Sequence, residues 1–340
     1  MRYQYIIALA LIFVLAVSGC VEGMPDVFKQ MMGQKVEGEV KEALADIITV
    51  QNTNIIPTPP IYADGEFTVS FEVFNQDETK EVENVGISLY DYGMCAPQKD
   101  QFSPSGWTEV SGAYSYSFGS FVPQQTEFAE FKFEAPSNTQ IGGMEAECPI
   151  RYKVNYDFNA ISQTDIQVIS EDKLKALQRA GQSPSFTPTQ SIGRGPIKIY
   201  FDFGAPLPIR ENSILPVFIW IEDKGSGIFG DIKEKDDDQI WLKVPKDLVP
   251  DDFDGCNGKF DKTPIVIDET INPEYKNYNV YKLASEANIP MVKKKSPQLR
   301  CSFKPTLVTD EKTYYISANM SYSYALYEDL SVAIKPTLVK

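Results

Sequence analysis

The sequence contains no histidine among its 340 residues. Histidine is the most common general base in enzymes, so its absence excludes Ser-His-Asp and Cys-His catalysis in any order along the chain. Pairs of carboxylates could still hydrolyse a glycosidic bond, but 47 acidic residues make such pairs uninformative in a linear sequence. We therefore predict a protein that is not an enzyme and has no catalytic residues.

Cysteine is scarce too, and no Cys-x-x-Cys pair occurs. Without such a pair, and without histidine to complete a tetrahedron, a zinc site is not expected. The segment Asp251–Asp261 is rich in Asp, Asn and Gly, as calcium loops are, but Cys256 and Asn257 stand where an EF-hand needs a ligand and then a glycine. This favours a solvated turn around a disulfide over a calcium loop, and we predict no metal and no cofactor.

Basic residues are outnumbered by acidic ones, 32 against 47, which gives a formal net charge of −15. A surface of this sign repels phosphate groups, so nucleic acid is not an expected partner. Hydrophobic residues still make up 43% of the chain. This composition is typical of a folded protein rather than a disordered one.

The first twenty residues have the pattern of a lipoprotein signal peptide. Arg2 supplies a positive start, residues 5–17 are apolar, and the small residues Ser18 and Gly19 precede Cys20. After cleavage the Cys20 sulfur would carry diacylglycerol, and at about 0.8 kcal/mol per buried CH₂ two acyl chains hold a protein to a bilayer almost permanently. We predict lipidation at Cys20 and a location on the outer face of the cytoplasmic membrane or the cell surface.

The other four cysteines fall two to each half, with Cys95 and Cys148 in the first and Cys256 and Cys301 in the second. Four cysteines allow three connectivities, and only one of them keeps each disulfide within its half. In the chain-entropy model each bridge would stabilise its half by roughly 4 kcal/mol. Lipidation of Cys20 would leave no unpaired thiol.

The two halves also repeat one another in pattern. Residues 60–73 and 208–221 both begin with Pro-Ile and continue through polar residues. Each then has aliphatic or Phe side chains at every second position, at 67, 69, 71 and 73 in the first and at 215, 217, 219 and 221 in the second. Residues 152–158 and 318–324 alternate in the same way near the end of each half. An internal duplication explains this shared order, and the alternative is that unrelated half-buried strands look alike.

Short alternating segments separated by turn residues predict a series of short strands, which is typical of two antiparallel sheets packed as a sandwich. Beyond the repeated segments, strands are expected at 46–51, 85–90, 129–135, 165–169, 197–203, 240–244 and 329–334. We predict an all-β fold of two tandem immunoglobulin-like antiparallel β-sandwiches.

With its leader, its PIYADGEFTVSFEVFNQ segment and its cysteine layout, the chain resembles archaeal cell-surface lipoproteins built from tandem immunoglobulin-like, cell-adhesion-related domains. The resemblance implies presentation outside the cell and a role in adhesion, scaffolding or assembly. It implies no catalytic residues.

Two segments outside the sandwiches have helical patterns. Residues 25–48 carry an apolar stripe at helical spacing, and Ser170–Gly181 has a serine cap and a terminal glycine. The predicted organisation is a signal peptide at 1–20, a partly helical tether at 21–45, a sandwich at 46–170, a short helix with a linker at 171–195 and a second sandwich at 196–340.

One segment, residues 111–121, mixes Tyr and Phe with Ser and Gly as antibody paratopes do. Its rings are candidate contacts for a sugar or a protein, and the alternative is a strand whose rings cover the sandwich. The four candidates are Tyr114, Tyr116, Phe118 and Phe121.

The triplet Asn319-Met320-Ser321 fits the acceptor pattern for N-glycosylation. The alternation around it points Asn319 outward from its predicted strand. Asn319 is therefore a candidate glycosylation site.

Taken together, these features predict a non-catalytic, lipid-anchored surface protein that works by binding or scaffolding, with an unknown surface protein or glycan as partner. One alternative is a solute-binding lipoprotein that serves a membrane transporter, although such proteins usually need long helices that this sequence lacks. Another is a subunit of a surface appendage, in which an exposed edge strand pairs with a neighbour.

Overall fold

Alternation of apolar and polar side chains dominates the chain, and these segments fold as strands. The computed structural model describes residues 45–230, 232–233, 240–248, 253, 255–267, 275–306 and 308–337. Cys20, the predicted signal peptide and all of the predicted tether except its last residue lie outside the described residues. Within them, no helix has the length and apolar character needed to cross a membrane.

The first half contains nine strands among the described residues. They are β1 Ile48–Ile56, β2 Ile61–Tyr62, β3 Glu66–Asn75, β4 Val82–Asp91, β5 Ala96–Pro97, β6 Thr108–Val110, β7 Ala113–Phe121, β8 Thr126–Glu134 and β9 Ala146–Ile169.

Ten further strands follow in the described part of the second half. They are β10 Gln190–Ile192, β11 Ile197–Phe203, β12 Ile209–Arg210, β13 Leu215–Asp223, β14 Ile232–Lys233, β15 Ile240–Pro245, β16 Tyr278–Lys282, β17 Asn288–Ile289, β18 Leu299–Phe303 and β19 Glu311–Lys335.

Helical structure in the described residues is limited to one helix of more than two turns, α1 at Glu171–Arg179, and three short turns. The short turns are Lys99–Gln101, Lys246–Leu248 and Gly255–Gly258. The Ser170 hydroxyl accepts a hydrogen bond from the Lys173 amide at 3.2 Å, which is the N-cap that the sequence predicts for α1. The all-β fold class is confirmed.

A large sheet forms the centre of the molecule. Its main path runs β16-β15-β19-β9-β4-β7-β6, with β2, β10 and β12 attached to the two long strands. Three smaller sheets accompany it in the described residues, with orders β1-β3-β8-β5, β11-β13-β18 and β14-β17.

The long strands β9 and β19 pair with each other along their length, from Ile169 opposite Glu311 to Ala146 opposite Ile334. The prediction of separate final strands at 165–169 and 329–334 is wrong, because each belongs to one continuous strand. Residues 159–164 and 325–328 contain no glycine or proline that would end a strand, so the pleat runs through them.

Aromatic side chains join the layers into sandwiches. In the first half, Phe71 of β3 stacks on Tyr152 of β9 with ring centroids 4.4 Å apart, and Phe131 of β8 meets the same tyrosine edge-on at 5.5 Å. In the second half, Phe253 lies 4.3 Å from Tyr281 of β16 and 6.1 Å from Phe303 of β18. The four-stranded sheet therefore packs on β9 of the large sheet, and Phe253 links the three-stranded sheet to β16.

The pairing of strands repeats between the halves, as an internal duplication predicts. The orders β1-β3-β8 and β11-β13-β18 correspond. The Pro-Ile segment of each half lies parallel to the end of the other half's long strand, with Ile61 beside Ile334 and Ile209 beside Val168. Each half thus completes the sheet of the other.

Both predicted disulfides are present, Cys95–Cys148 and Cys256–Cys301. They do not occupy equivalent places in the repeat, because Cys148 lies on β9 whereas Cys301 lies on β18, the counterpart of β8. The positions of the cysteines therefore do not follow the repeat, although the sequence places one disulfide in each half.

Equivalent polar residues end β3 and β13. The side-chain oxygen of Asn75 accepts a hydrogen bond from the Asp77 amide at 3.0 Å, and that of Asp223 accepts one from the Gly225 amide at 3.0 Å. Both turns rely on side-chain capping of the backbone two residues on.

Each of these turns is also held by the other half. The Arg194 guanidinium, just before β11, donates to the buried Asp77 carboxylate at 3.0 Å. The Asp46 carboxylate, just before β1, accepts from the Ser226 amide at 3.2 Å. These two contacts fasten the halves to one another reciprocally, and we call them the cross-half clasps.

Buried tyrosines fill the inner face of the central strand pair. Tyr156 and Tyr324 are directly opposite, with centroids 5.7 Å apart, and Tyr152 and Tyr322 flank them. Burial raises the pKa of all four hydroxyls well above the ordinary value.

We expect the protein to lose stability as the pH rises above about 10, where tyrosines of an unfolded chain ionise. Below that pH the tyrosines are protonated in both the folded and the unfolded state. Above it they remain protonated only where they are buried in the folded state, so each buried tyrosine lowers the free energy of unfolding by about 1.4 kcal/mol per further pH unit. Urea unfolding between pH 9 and 11 measures this. Tyr156→Phe should reduce the pH dependence, whereas Tyr315→Phe, at an exposed site, should not. Titration of every tyrosine near pH 10 in the folded protein would contradict the assignment.

Candidate binding site on the outer face of the large sheet

The four aromatic residues predicted as ligand contacts lie on β7 and face inward. Tyr114 and Phe121 are buried, and Tyr116 and Phe118 are half-buried. Tyr114 packs edge-on against Phe102 at 5.7 Å. This is the arrangement that the alternative interpretation predicts, a strand whose rings cover the sandwich.

The opposite, outer face of the same sheet carries an open pocket of about 450 Å³. Its lining comes from five strands that lie side by side. The lining residues are Ser88 and Tyr90 of β4, Val110 of β6, Ala113 and Ser115 of β7, Lys153 of β9 and Tyr327 of β19. We call this the sheet pocket.

Strand register places the polar members of the sheet pocket in one row. Tyr327 lies opposite Lys153, Lys153 opposite Ser88, and Ser88 opposite Ser115. Since neighbouring strands are about 4.8 Å apart, the row spans roughly 14 Å. The row begins with an aromatic ring, continues with an ammonium group and ends with two hydroxyls.

Two tyrosine rings stand beside the row. Tyr90 and Tyr327 meet edge-on with centroids 6.2 Å apart, and they are 41% and 47% exposed. Partial burial, followed by the neighbouring Tyr327 hydroxyl, raises the pKa of Tyr90, so its hydroxyl is neutral at physiological pH. An edge contact leaves ring faces open to a ligand.

The two basic residues on the outer face of β9 differ in their partners. Arg151 donates from Nε to Asp329 at 3.0 Å and from a terminal nitrogen to Asp91 at 2.9 Å, and the Asp329 hydrogen bond chiefly raises the pKa of the guanidinium. Lys153 is half-buried and has no hydrogen-bond or ion-pair partner among the described residues. Its charge therefore remains free for a ligand.

The serine hydroxyls at the other end of the row contact each other. The Oγ atoms of Ser88 and Ser115 are 3.0 Å apart, and the Thr108 hydroxyl donates to the Ser115 carbonyl at 3.3 Å. One serine donates to the other, so one hydroxyl hydrogen remains available. Lys153 forms no hydrogen bond with Ser88 in the described structure, so this pair lacks the contact that a Ser-Lys nucleophile needs.

The remaining predicted sites have the following places. Asn319 is exposed on β19 and lies opposite Trp241 of β15, so its outward direction agrees with the alternation of the sequence.

Cys256 is disulfide-bonded within the acidic segment 251–261, three of whose aspartates lie outside the described residues. In the described part of the chain, no group of three acidic or cysteine side chains is placed to hold a metal ion.

No protein-family model matches the chain, and no curated protein matches it either. Among solved structures, the chain is similar to red sea bream transglutaminase at 9% identity and a TM-score of 0.20, covering 94% of this chain and 34% of the transglutaminase. It is also similar to the Enterococcus faecalis MSCRAMM ACE, which binds its ligands by the collagen hug model, at 10% identity and a TM-score of 0.20. That match covers 86% of this chain and 96% of the adhesin. Similarity of this degree identifies neither a family nor a ligand.

Proposed function

We propose that this chain is a lipid-anchored, non-catalytic cell-surface protein that binds its partner through the sheet pocket. The observation that carries the proposal is the row of Tyr327, Lys153, Ser88 and Ser115 on the outer face of the large sheet. It combines an open ring, an unpaired ammonium group and hydroxyls within one pocket. Sites that bind small ligands join apolar surface with a few placed polar groups in this way.

Two features support a location outside the cytoplasm. Both disulfides suit an oxidising compartment, and the first twenty residues have the pattern of a lipoprotein signal. Lipidation at Cys20 would hold the protein at the membrane, with both sandwiches available to partners outside the cell.

We expect Cys20→Ser to release the protein from the membrane, because the serine hydroxyl cannot take the thioether-linked diacylglycerol. Fractionation of cells that express the full chain, followed by detergent phase partition, measures this. The wild-type chain should enter the detergent phase and the variant the aqueous phase. Equal membrane retention of both would contradict lipid anchoring at Cys20.

We expect Tyr327→Ala to weaken ligand binding about tenfold, because the substitution removes an exposed ring from the sheet pocket. A tenfold change corresponds to about 1.4 kcal/mol of binding free energy. The probe is an array of defined oligosaccharides and extracellular proteins, and the sample is the full-length lipidated protein in detergent micelles. Tyr315→Ala is the matched control, because Tyr315 is on the same strand, faces the same side and is also 47% exposed. Equal binding by both variants would contradict a role for the sheet pocket.

A further inference from the structure

We infer that the sheet pocket takes a carboxylated sugar, with the carboxylate on Lys153 and the sugar ring on Tyr327. This inference rests on the proposed function and adds the chemical class of the ligand. Three observations support it: the unpaired charge of Lys153, the tyrosine ring and serine hydroxyls beside that charge, and the pairing of the backbone around the pocket.

Lys153 is the charged member of the pocket lining. In a chain with a net charge of −15, this ammonium group has no carboxylate partner among the described residues. Two acidic residues of the neighbouring strands, Asp91 and Asp329, are engaged by Arg151. A half-buried ammonium gains most from an anionic ligand group, since a charge-assisted hydrogen bond is about twice as strong as a neutral one.

The rings and hydroxyls favour a sugar as the carrier of that anion. Tyr327 is directly opposite Lys153, and side chains in such positions are about 5 Å apart at Cβ. A sugar ring stacked on the tyrosine would hold a ring carboxylate within reach of the ammonium. Ser88 and Ser115 continue the row with hydroxyls that can exchange hydrogen bonds with those of the next sugar.

The backbone argues against an extended peptide. A peptide that binds to a sheet usually adds to an edge, where unpaired backbone groups give it affinity. The sheet pocket lies on a face instead, and its central strands β4 and β9 are each paired on both sides beside Ser88 and Lys153. On these two strands a ligand is contacted through side chains rather than backbone groups, and the side chains present suit an acidic sugar.

The test uses the full-length lipidated protein in detergent micelles and three acidic probes: trigalacturonate, a hyaluronan tetrasaccharide and sialyllactose. Each is presented as the free acid and as its methyl ester, which removes the charge but keeps the ring. We expect at least one acid to bind ten or more times tighter than its ester. Added salt should weaken binding of the acid more than that of the ester.

Variants assign the effect to residues. Lys153→Gln should bind acid and ester equally, while Tyr327→Ala should weaken both. Lys99→Gln is the charge-matched control, because Lys99 is exposed in the turn beside β8 of the four-stranded sheet, and it should keep the preference for the acid. Melting temperatures confirm that each variant is folded.

Three results would overturn the inference: no acid bound better than its ester, an acid preference that survives in Lys153→Gln, or a triglutamate peptide bound as tightly as the best acidic sugar. Equal binding of acid and ester that still depends on Tyr327 would reject the acidic sugar and leave the proposed function standing. If no ligand of the array bound more weakly to Tyr327→Ala than to the wild-type chain, the proposed function itself would be rejected.

Discussion

The antiparallel pairing of β9 with β19 is the interaction on which the rest of the structure depends. It joins a strand that closes the first half to the strand that closes the second, over 24 residue pairs from Ala146–Ile334 to Ile169–Glu311. The inner face of this pair carries the buried tyrosines, and Phe71 of the four-stranded sheet stacks on one of them, Tyr152. Because side chains alternate strictly along a strand, the same register that buries these rings sets the outer face.

The candidate site is a product of that register. Tyr327 comes from the second half, whereas Lys153, Ser88 and Ser115 come from the first, so the row exists only where the halves meet. The cross-half clasps act at the same junction, with Arg194 on Asp77 and Asp46 on Ser226. A shift of β19 by one residue would bury Tyr327 and expose the tyrosine core, so the fold and the site share one constraint.

Local patterns in the sequence predicted much of the fold and less of the site. Alternation located β3, β13 and the centres of β9 and β19, and the cap at Ser170 located α1, because these signals lie within a few residues of each other. The continuity of β9 through residues 159–164 was missed, since polar residues there resemble a loop until a partner strand is known. Tyr327 and Lys153 are adjacent only through a long-range ladder, which no spacing in the sequence reveals. The aromatic segment of β7 stands out in the sequence for its rings, yet its small outward residues, Ala113 and Ser115, are the ones that line the pocket.

Native-state hydrogen exchange on the full-length protein tests the central pairing most directly. If β9 and β19 hold the two halves together, their backbone amides should exchange with one shared free energy, equal to that of global unfolding, along both strands. A result in which the amides of 311–322 exchange through a separate, lower-energy opening while those of 146–158 stay protected would show that the halves unfold independently. That result would contradict the account.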